Sequence, residues 1–500
     1  MTCSSGSGPN TEPCSDGNKS GVGDGDDTGV ESLDDLKTSA VTGSSEFSID
    51  ESCSDSVDID QIEHMWQRTD WMACAAIVIL SLLLVGLHTH AYRTLSPIDE
   101  LQHIDYALKA SKLDIVRVNE RVGFEAMAEA ACRSVDSPGY AGPACGLDTY
   151  DPNDFQERGF NTAATQYPIY YVITGLGARA MTWLGVVNSP VTGLRMMGAL
   201  WSAAAFSVLW YVMGLLRIDR LKRAVVTALL MVTPIVLVGA ATVNADASLL
   251  LGGAVTLLAT LKFEERKLHP ALLALTYIGV FFIEATNLLI VGACSAYLIA
   301  RVAVQRDESI TRRVTPAIVL AGIVVLRLEY SSRTREALFP RNTSVSEVMS
   351  SAPMFSKHET TGVSLSKMLE QLPSVFTPVI NPLLTTPLRS QVTISFIQLT
   401  NWLLIALMFA AAFVVVGKIR AAWISRVGLA AMLLAGPFYT FYFAYFSGSD
   451  FPAPARFGLP LVALVVVAAA SAITTRATMV LVACVAGGAA LNTLYQLILF

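Results

Sequence analysis

The stretch YPIYYVITGLGARAMTWLGVV, residues 167 to 187, is long enough to cross a bilayer, and whether it does so sets the orientation of every segment that follows. Around it lies a chain that is 53% hydrophobic and only 15% charged, far too apolar for a soluble protein of 500 residues. It is predicted to be an all-α polytopic membrane protein. Candidate spans fall at 71–91, 193–216, 224–242, 246–262, 270–285, 287–304, 314–330, 393–416, 427–446, 457–474 and 477–498, eleven without the quoted stretch.

Basic residues in the short loops decide between eleven crossings and twelve. They collect in RIDRLKR (217–223), EERKLH (264–269), RDESITRR (306–313), GKIRAAWISR (417–426) and TTR (474–476). With eleven crossings and a cytoplasmic N-terminus all five loops are cytoplasmic; a crossing at 167–187 would turn all five outward, against the positive-inside rule. Residues 167–187 are therefore predicted to form an amphipathic or re-entrant helix on the outer face, with Arg179 in its middle and its tyrosines at the interface.

The first 64 residues carry fifteen acidic residues against Lys19 and Lys37, so residues 65–500 are net positive although the whole chain is −6. Such a segment cannot bury enough apolar area to offset its chain entropy, and it is expected to be a disordered cytoplasmic tail, with no signal-peptide pattern before Trp71. The eight cysteines form no metal motif. Cys132 and Cys145, 13 apart in a loop rich in Pro and Gly, are the one pair placed to form a disulfide, provided that loop faces an oxidising space. His88 and His90 cannot share a helical face, so neither a metal nor any other cofactor is expected.

Eleven crossings put one set of segments outside: the long loops from about 92 to 192 and from about 331 to 391, the turn VNADA (243–247), the break IEATN (283–287) and SGSDFPAPAR (447–456). Nearly all the unusual polar residues lie there. In SPIDELQHIDYA (96–107), Ile98, Leu101 and Ile104 follow helical spacing, which predicts a short helix along the membrane surface with Asp99, His103 and Tyr106 on one face and Glu100 beside them. A carboxylate in such a place is a candidate general base, the bland alternative being an acid that complements a helix N-terminus. Arg195 and Arg456, at the outer ends of spans, can hold a phosphate or snorkel to headgroups. Asn244 and Asp246 can hydrogen-bond a sugar or cap the next helix.

The order of these motifs resembles the GT-C superfamily of membrane glycosyltransferases, and more narrowly the bacterial membrane-protein family called domain of unknown function 2142. The resemblance rests on SPIDELQH (Pro97, Asp99, Glu100, His103), QYPIYY (Tyr167, Pro168, Tyr170, Tyr171), VNADA (Asn244, Asp246) and ARFGLP (Arg456, Phe457, Pro460), and covers most of residues 65–500. Where related proteins tend to place a basic residue, this chain has Glu284. The resemblance implies transfer of a sugar from a polyprenyl-phosphate donor to an envelope glycan or lipid acceptor on the outer face of a bacterial plasma membrane, with no part for nucleic acid. It implies Asp99, Glu100 and His103 as catalytic residues, Arg195 and Arg456 at the donor phosphate, and Tyr167, Tyr171, Asn244 and Asp246 at the sugar or acceptor. A transporter or flippase of a lipid-linked precursor is the alternative, with Glu284 as its single buried ionisable candidate.

Orientation is open to direct test. In a background without native cysteines, an impermeant thiol reagent applied to intact cells should spare cysteines placed at Arg220 and Arg420 and label one placed at Ser350; labelling at position 220 would overturn the scheme.

Overall fold

The computed structural model describes residues 68–137, 139–302, 309–338, 364–375, 384–415, 419–447 and 453–499. The acidic tail, Ser350 and residues 339–363 and 376–383 of the second predicted outer loop lie outside them. Among the described residues 78% are helical, and β-structure there is confined to two isolated bridges, Leu95 with Val135 and Arg121 with Phe160.

The helices run α1 (Arg68–Ala91), α2 (Glu100–Ala110), α3 (Phe124–Arg133), α4 (Pro168–Trp183), α5 (Pro190–Leu215), α6 (Arg220–Met231), α7 (Pro234–Ala241) and α8 (Leu249–Glu264). They continue through α9 (Pro270–Ile283), α10 (Leu288–Val302), α11 (Ile310–Leu338), α12 (Leu365–Glu370), α13 (Gln391–Phe413), α14 (Ile419–Ser447), α15 (Val462–Ala472) and α16 (Arg476–Leu499). Among the described residues eight helices are long and apolar enough to cross a membrane, nine if the bent pair α6 and α7 is one span. The chain is a multi-span membrane protein. Proline sets several starts: Pro168, Pro190, Pro234 and Pro270 each open a helix, where the missing N–H costs nothing. Between α6 and α7 the proline also interrupts the ladder, and the two axes meet at 62°.

Every residue of α15, VALVVVAAASA, is buried, so this helix, apolar all round, runs through the bundle's interior. Small residues permit the close approaches that packing in lipid requires. A Cβ at Gly253 in α8 would overlap the Pro460 carbonyl ahead of α15, and one at Gly198 in α5 would overlap the Ala240 carbonyl of α7.

Two ion-paired clusters mark one end of the bundle. Buried Asp70, at the start of α1, accepts from Trp210 Nε1 at 3.1 Å and pairs with Arg220 at 3.0 Å and Arg223 at 3.6 Å. Glu264, at the end of α8, accepts from Tyr297 at 2.8 Å and pairs with Arg301 at 3.0 Å and Arg420 at 3.4 Å, while Arg312 donates to the Phe263 carbonyl. At the opposite end α1 finishes against the second turn of α5, where Arg195 donates to the Tyr92 carbonyl at 2.6 Å. The chain thus leaves α1 and enters α5 at the same end. Helix α4 of segment 167–187, 16 residues long, falls between these two points.

Between α1 and α5 the chain builds a compact cap with its own core, in which Leu101, Ile104 and Tyr106 of α2 meet Met127 of α3 and Tyr170 and Tyr171 of α4. The predicted surface-lying helix is corrected here. Helix α2 forms, but nine of its eleven residues are buried between α3, α4 and α5, with Glu100, His103 and Asp105 each bonded to residues outside the helix. Asp105 alone receives Lys109 at 2.8 Å, Asn161 Nδ2 at 2.7 Å and the Gly123 amide at 2.8 Å. Cys132 and Cys145 are disulfide-bonded across the cap loop. The loop before α13 is tied to the same end, through His88 Nε2 and Thr385 Oγ1 at 2.8 Å and Arg389 and Asp136 at 2.9 Å.

Candidate functional site

The site is framed by one ion pair. Arg195 donates from Nε and Nη2 to the two carboxylate oxygens of Glu100, each at 2.9 Å, and from Nη1 and Nη2 to the Tyr92 and Thr94 carbonyls at 2.6 and 2.7 Å. Glu100 accepts in addition the Ser96 amide at 2.6 Å and the Val243 amide at 2.9 Å. Both side chains are fully buried. This corrects two expectations: Arg195 has no face open to a phosphate, and Glu100 has none open to an acceptor, because each is saturated by the other and by backbone.

Asp99 differs. It is the N-cap residue of α2, in the left-handed region at φ 51°, and its side chain makes no capping bond, so it does not serve the helix N-terminus. Burial raises its carboxyl above the ordinary carboxylate range, and the Arg456 guanidinium pulls it back down. Arg456 opens the turn before α15 and pairs with Asp246 at 3.1 Å, the two side chains being 28% and 12% exposed where Arg195 is at 0%. Asn244 Oδ1 accepts the Asp246 amide at 3.0 Å, so Asn244 does the capping and the Asp246 carboxylate is left for Arg456. A cavity of about 220 Å³ opens over this group. Ser96, Thr242, Asn244, Asp246 and Arg456 form its polar wall; Ile98, Ile235, Val238 and Leu459 form its apolar one.

His103, one turn after Asp99, shares a 2.6 Å hydrogen bond between Nδ1 and the Tyr171 hydroxyl. Burial, reinforced by the Arg456 charge, pushes its imidazole down to about 3, so it stays neutral at physiological pH. Tyr171 is completely buried, stacked on Tyr106 with ring centres 4.0 Å apart. Tyr167 is buried among Phe281, Phe282 and Tyr330, within electrostatic reach of Arg327. Neither tyrosine offers a ring to a sugar, which corrects their assignment as sugar-binding residues: both are packing partners beneath the site.

Arg327 is the residue that the sequence analysis passed over. It lies in α11 beside Tyr442, within electrostatic reach of Glu284. Glu284 in turn accepts from Thr286 Oγ1 at 3.0 Å, and the Gln166 amide, turned so that its nitrogen faces the carboxylate, donates at 3.0 Å. The signal was present: an arginine inside a predicted span, 314–330, needs a partner in the bundle. No group of three or more His, Cys, Asp or Glu side chains able to hold a metal occurs among the described residues.

Fold and site define a multi-span all-α membrane protein with a small, half-polar cavity at the capped end of its bundle. No protein-family model matches the chain, and no curated protein matches it in sequence.

The two arginines should behave differently. Arg195→Ala or Glu100→Gln leaves a buried charge unpaired, a loss of about 3–5 kcal/mol, and should lower both yield and thermal midpoint in detergent. Arg456→Ala, at a partly exposed pair, should leave the midpoint within a few degrees of wild type. Equal losses from both, followed by light scattering or intrinsic fluorescence, would contradict the division between frame and site.

Proposed function

We propose that the protein is a GT-C-like glycosyltransferase, with eleven crossings, its N-terminus in the cytoplasm of a bacterium and its C-terminus outside, that moves a sugar from a polyprenyl-phosphate donor to an acceptor hydroxyl of an envelope glycan or lipid. One observation carries the proposal: an acid without a side-chain capping bond, Asp99, next in sequence to the cavity-lining Ile98, lies within electrostatic reach of Arg456, the cation of that cavity, which is partly exposed and pre-positioned by Asp246. The cavity's two walls suit a ligand that is polar at one end and hydrocarbon at the other.

In this mechanism Asp99 takes the proton of the acceptor hydroxyl as its oxygen attacks the anomeric carbon. The bond between that carbon and the phosphate oxygen breaks, and the electron pair leaves with the polyprenyl phosphate, whose charge Arg456 receives. His103 is too weakly basic to carry the proton, and with Tyr171 it supports the wall behind Asp99. Asn244 has its amide nitrogen left to meet a sugar hydroxyl. Nucleotide sugars are cytoplasmic, which is why a site on the outer face requires a donor delivered through lipid.

A transporter or flippase of the same lipid-linked sugar is the second reading, favoured by Glu284 and Arg327 inside the bundle. The two diverge in a purified assay with labelled donor. Asp99→Asn should fold normally and lose roughly 10²- to 10⁴-fold in turnover, and Arg456→Ala should raise the KM for donor more than it lowers kcat. Wild-type rates should fall on acidification, because the base must be ionised, with a limb above the ordinary carboxylate value of about 3.9 that Asp99→Asn lacks. Full transfer by Asp99→Asn would remove the proposed base; no transfer by wild type with any donor, together with transport abolished by Glu284→Gln, would favour the second reading.

A further inference from the structure

A second cavity, of about 570 Å³, lies in the cap, away from Asp99 and Arg456 and enclosed by the end of α2, by α3, by one stripe of α4 and by the start of α5. Its walls are mostly apolar, from Leu108, Phe124, Ala128, Ala178 and Leu194. Three of the four charged side chains around it are accounted for. Lys112 pairs with Glu125 at 2.9 Å, and Glu129 pairs with Arg133 at 2.8 Å. Arg179 donates a single hydrogen bond, from Nη1 to the Ser111 carbonyl at 3.3 Å, and meets no carboxylate among the described residues.

Helix α4 shows what the cavity opens toward. Gly175, Ala178, Arg179 and Thr182, at helical spacing, line the cavity, while Ile169, Ile173, Leu176 and Trp183 on the adjoining stripe are exposed apolar side chains. Successive residues turn by about 100°, so Arg179 stands only about 60° from Leu176 and 40° from Trp183. An exposed apolar stripe on a helix packed on the end of a membrane bundle suits contact with lipid, and an arginine beside a tryptophan is the usual composition of the level where headgroups lie.

We propose that this cavity is a binding site for one anionic phospholipid, with an acyl chain between α3 and α4 and the headgroup phosphate on Arg179. The volume falls within the range of about 300–1,000 Å³ of small-molecule sites. The mostly apolar walls suit hydrocarbon, and Arg179, exposed at the cavity and without a counter-ion among the described residues, is open to an anion. The occupant comes from the bilayer because the cavity's flank is continuous with the lipid-facing stripe. Such a lipid would clamp α4 to α3, and the proposal is independent of what reaction the first cavity performs.

Native mass spectrometry after exchange into mixed micelles containing phosphatidylglycerol and phosphatidylcholine tests it. Wild type is expected to retain one phosphatidylglycerol in preference to phosphatidylcholine; Arg179→Gln should reduce that preference at least fivefold, and Ala128→Phe, which fills the cavity from α3, should abolish retention of either lipid at this site. The thermal midpoint without added lipid shows that both variants fold. Equal retention of the two lipids by wild type, or retention by the folded Ala128→Phe variant equal to that of wild type, would overturn the proposal.

Discussion

The pair between Glu100 and Arg195 holds the capped end of the molecule together. Through six hydrogen bonds it joins the last turn of α1, the residues leading into α2, the second turn of α5 and the strand-like segment after α7. Two charges removed this far from water are stable only when well paired, and here Glu100 accepts four hydrogen bonds and Arg195 donates four. The consequence for the site is positional. Asp99 is the neighbour of Glu100 in sequence, and Asp246 lies three residues beyond Val243, whose amide Glu100 receives. A single buried interaction therefore helps to place the two acids within electrostatic reach of Arg456.

The two ends of the bundle divide the labour. At one end arginines gather around Asp70 and Glu264 and satisfy each other. At the other, charges are either locked into the frame or held partly exposed around a cavity. Polarity at the ends of membrane helices is ordinary. An acid held out of its capping role beside a guanidinium on another element is not, because burial without a hydrogen-bond partner raises its free energy.

Much of this was legible in the sequence, for reasons that differ by residue. Apolar runs report helices directly: the described parts of the eleven segments read from them are mainly helical, and eight helices, or nine with the bent pair, are long and apolar enough to cross. That Asp99, Asp246 and Arg456 belong to one end of the bundle was readable from their places at the ends of apolar runs; that Arg456 pairs with Asp246 was not. Sequence could not separate Arg195 from Arg456, since both are arginines at the mouths of spans; only the folded chain shows that one meets Glu100 and four backbone groups crowd around the pair. The same limit misplaced Tyr167 and Tyr171, whose aromatic pattern fits an interface as well as a core. Helix α2 was read as amphipathic from its apolar spacing, but pairings such as Asp105 with Asn161, 56 residues apart, bury its polar side too. Arg327 escaped because it lies inside an apolar run, and Glu284, the acid within its electrostatic reach, is remote in sequence.

The most direct measurement is photo-crosslinking with a polyprenyl-phosphate sugar that carries a diazirine on the sugar ring, followed by peptide mapping of the purified protein. Adducts on residues 96–103, 242–246 and 454–459, competed by unlabelled donor and weakened by Arg456→Ala, are the result expected. Competable adducts confined to the peptides that carry Glu284 and Arg327, with none on those three segments, would contradict the assignment of the site.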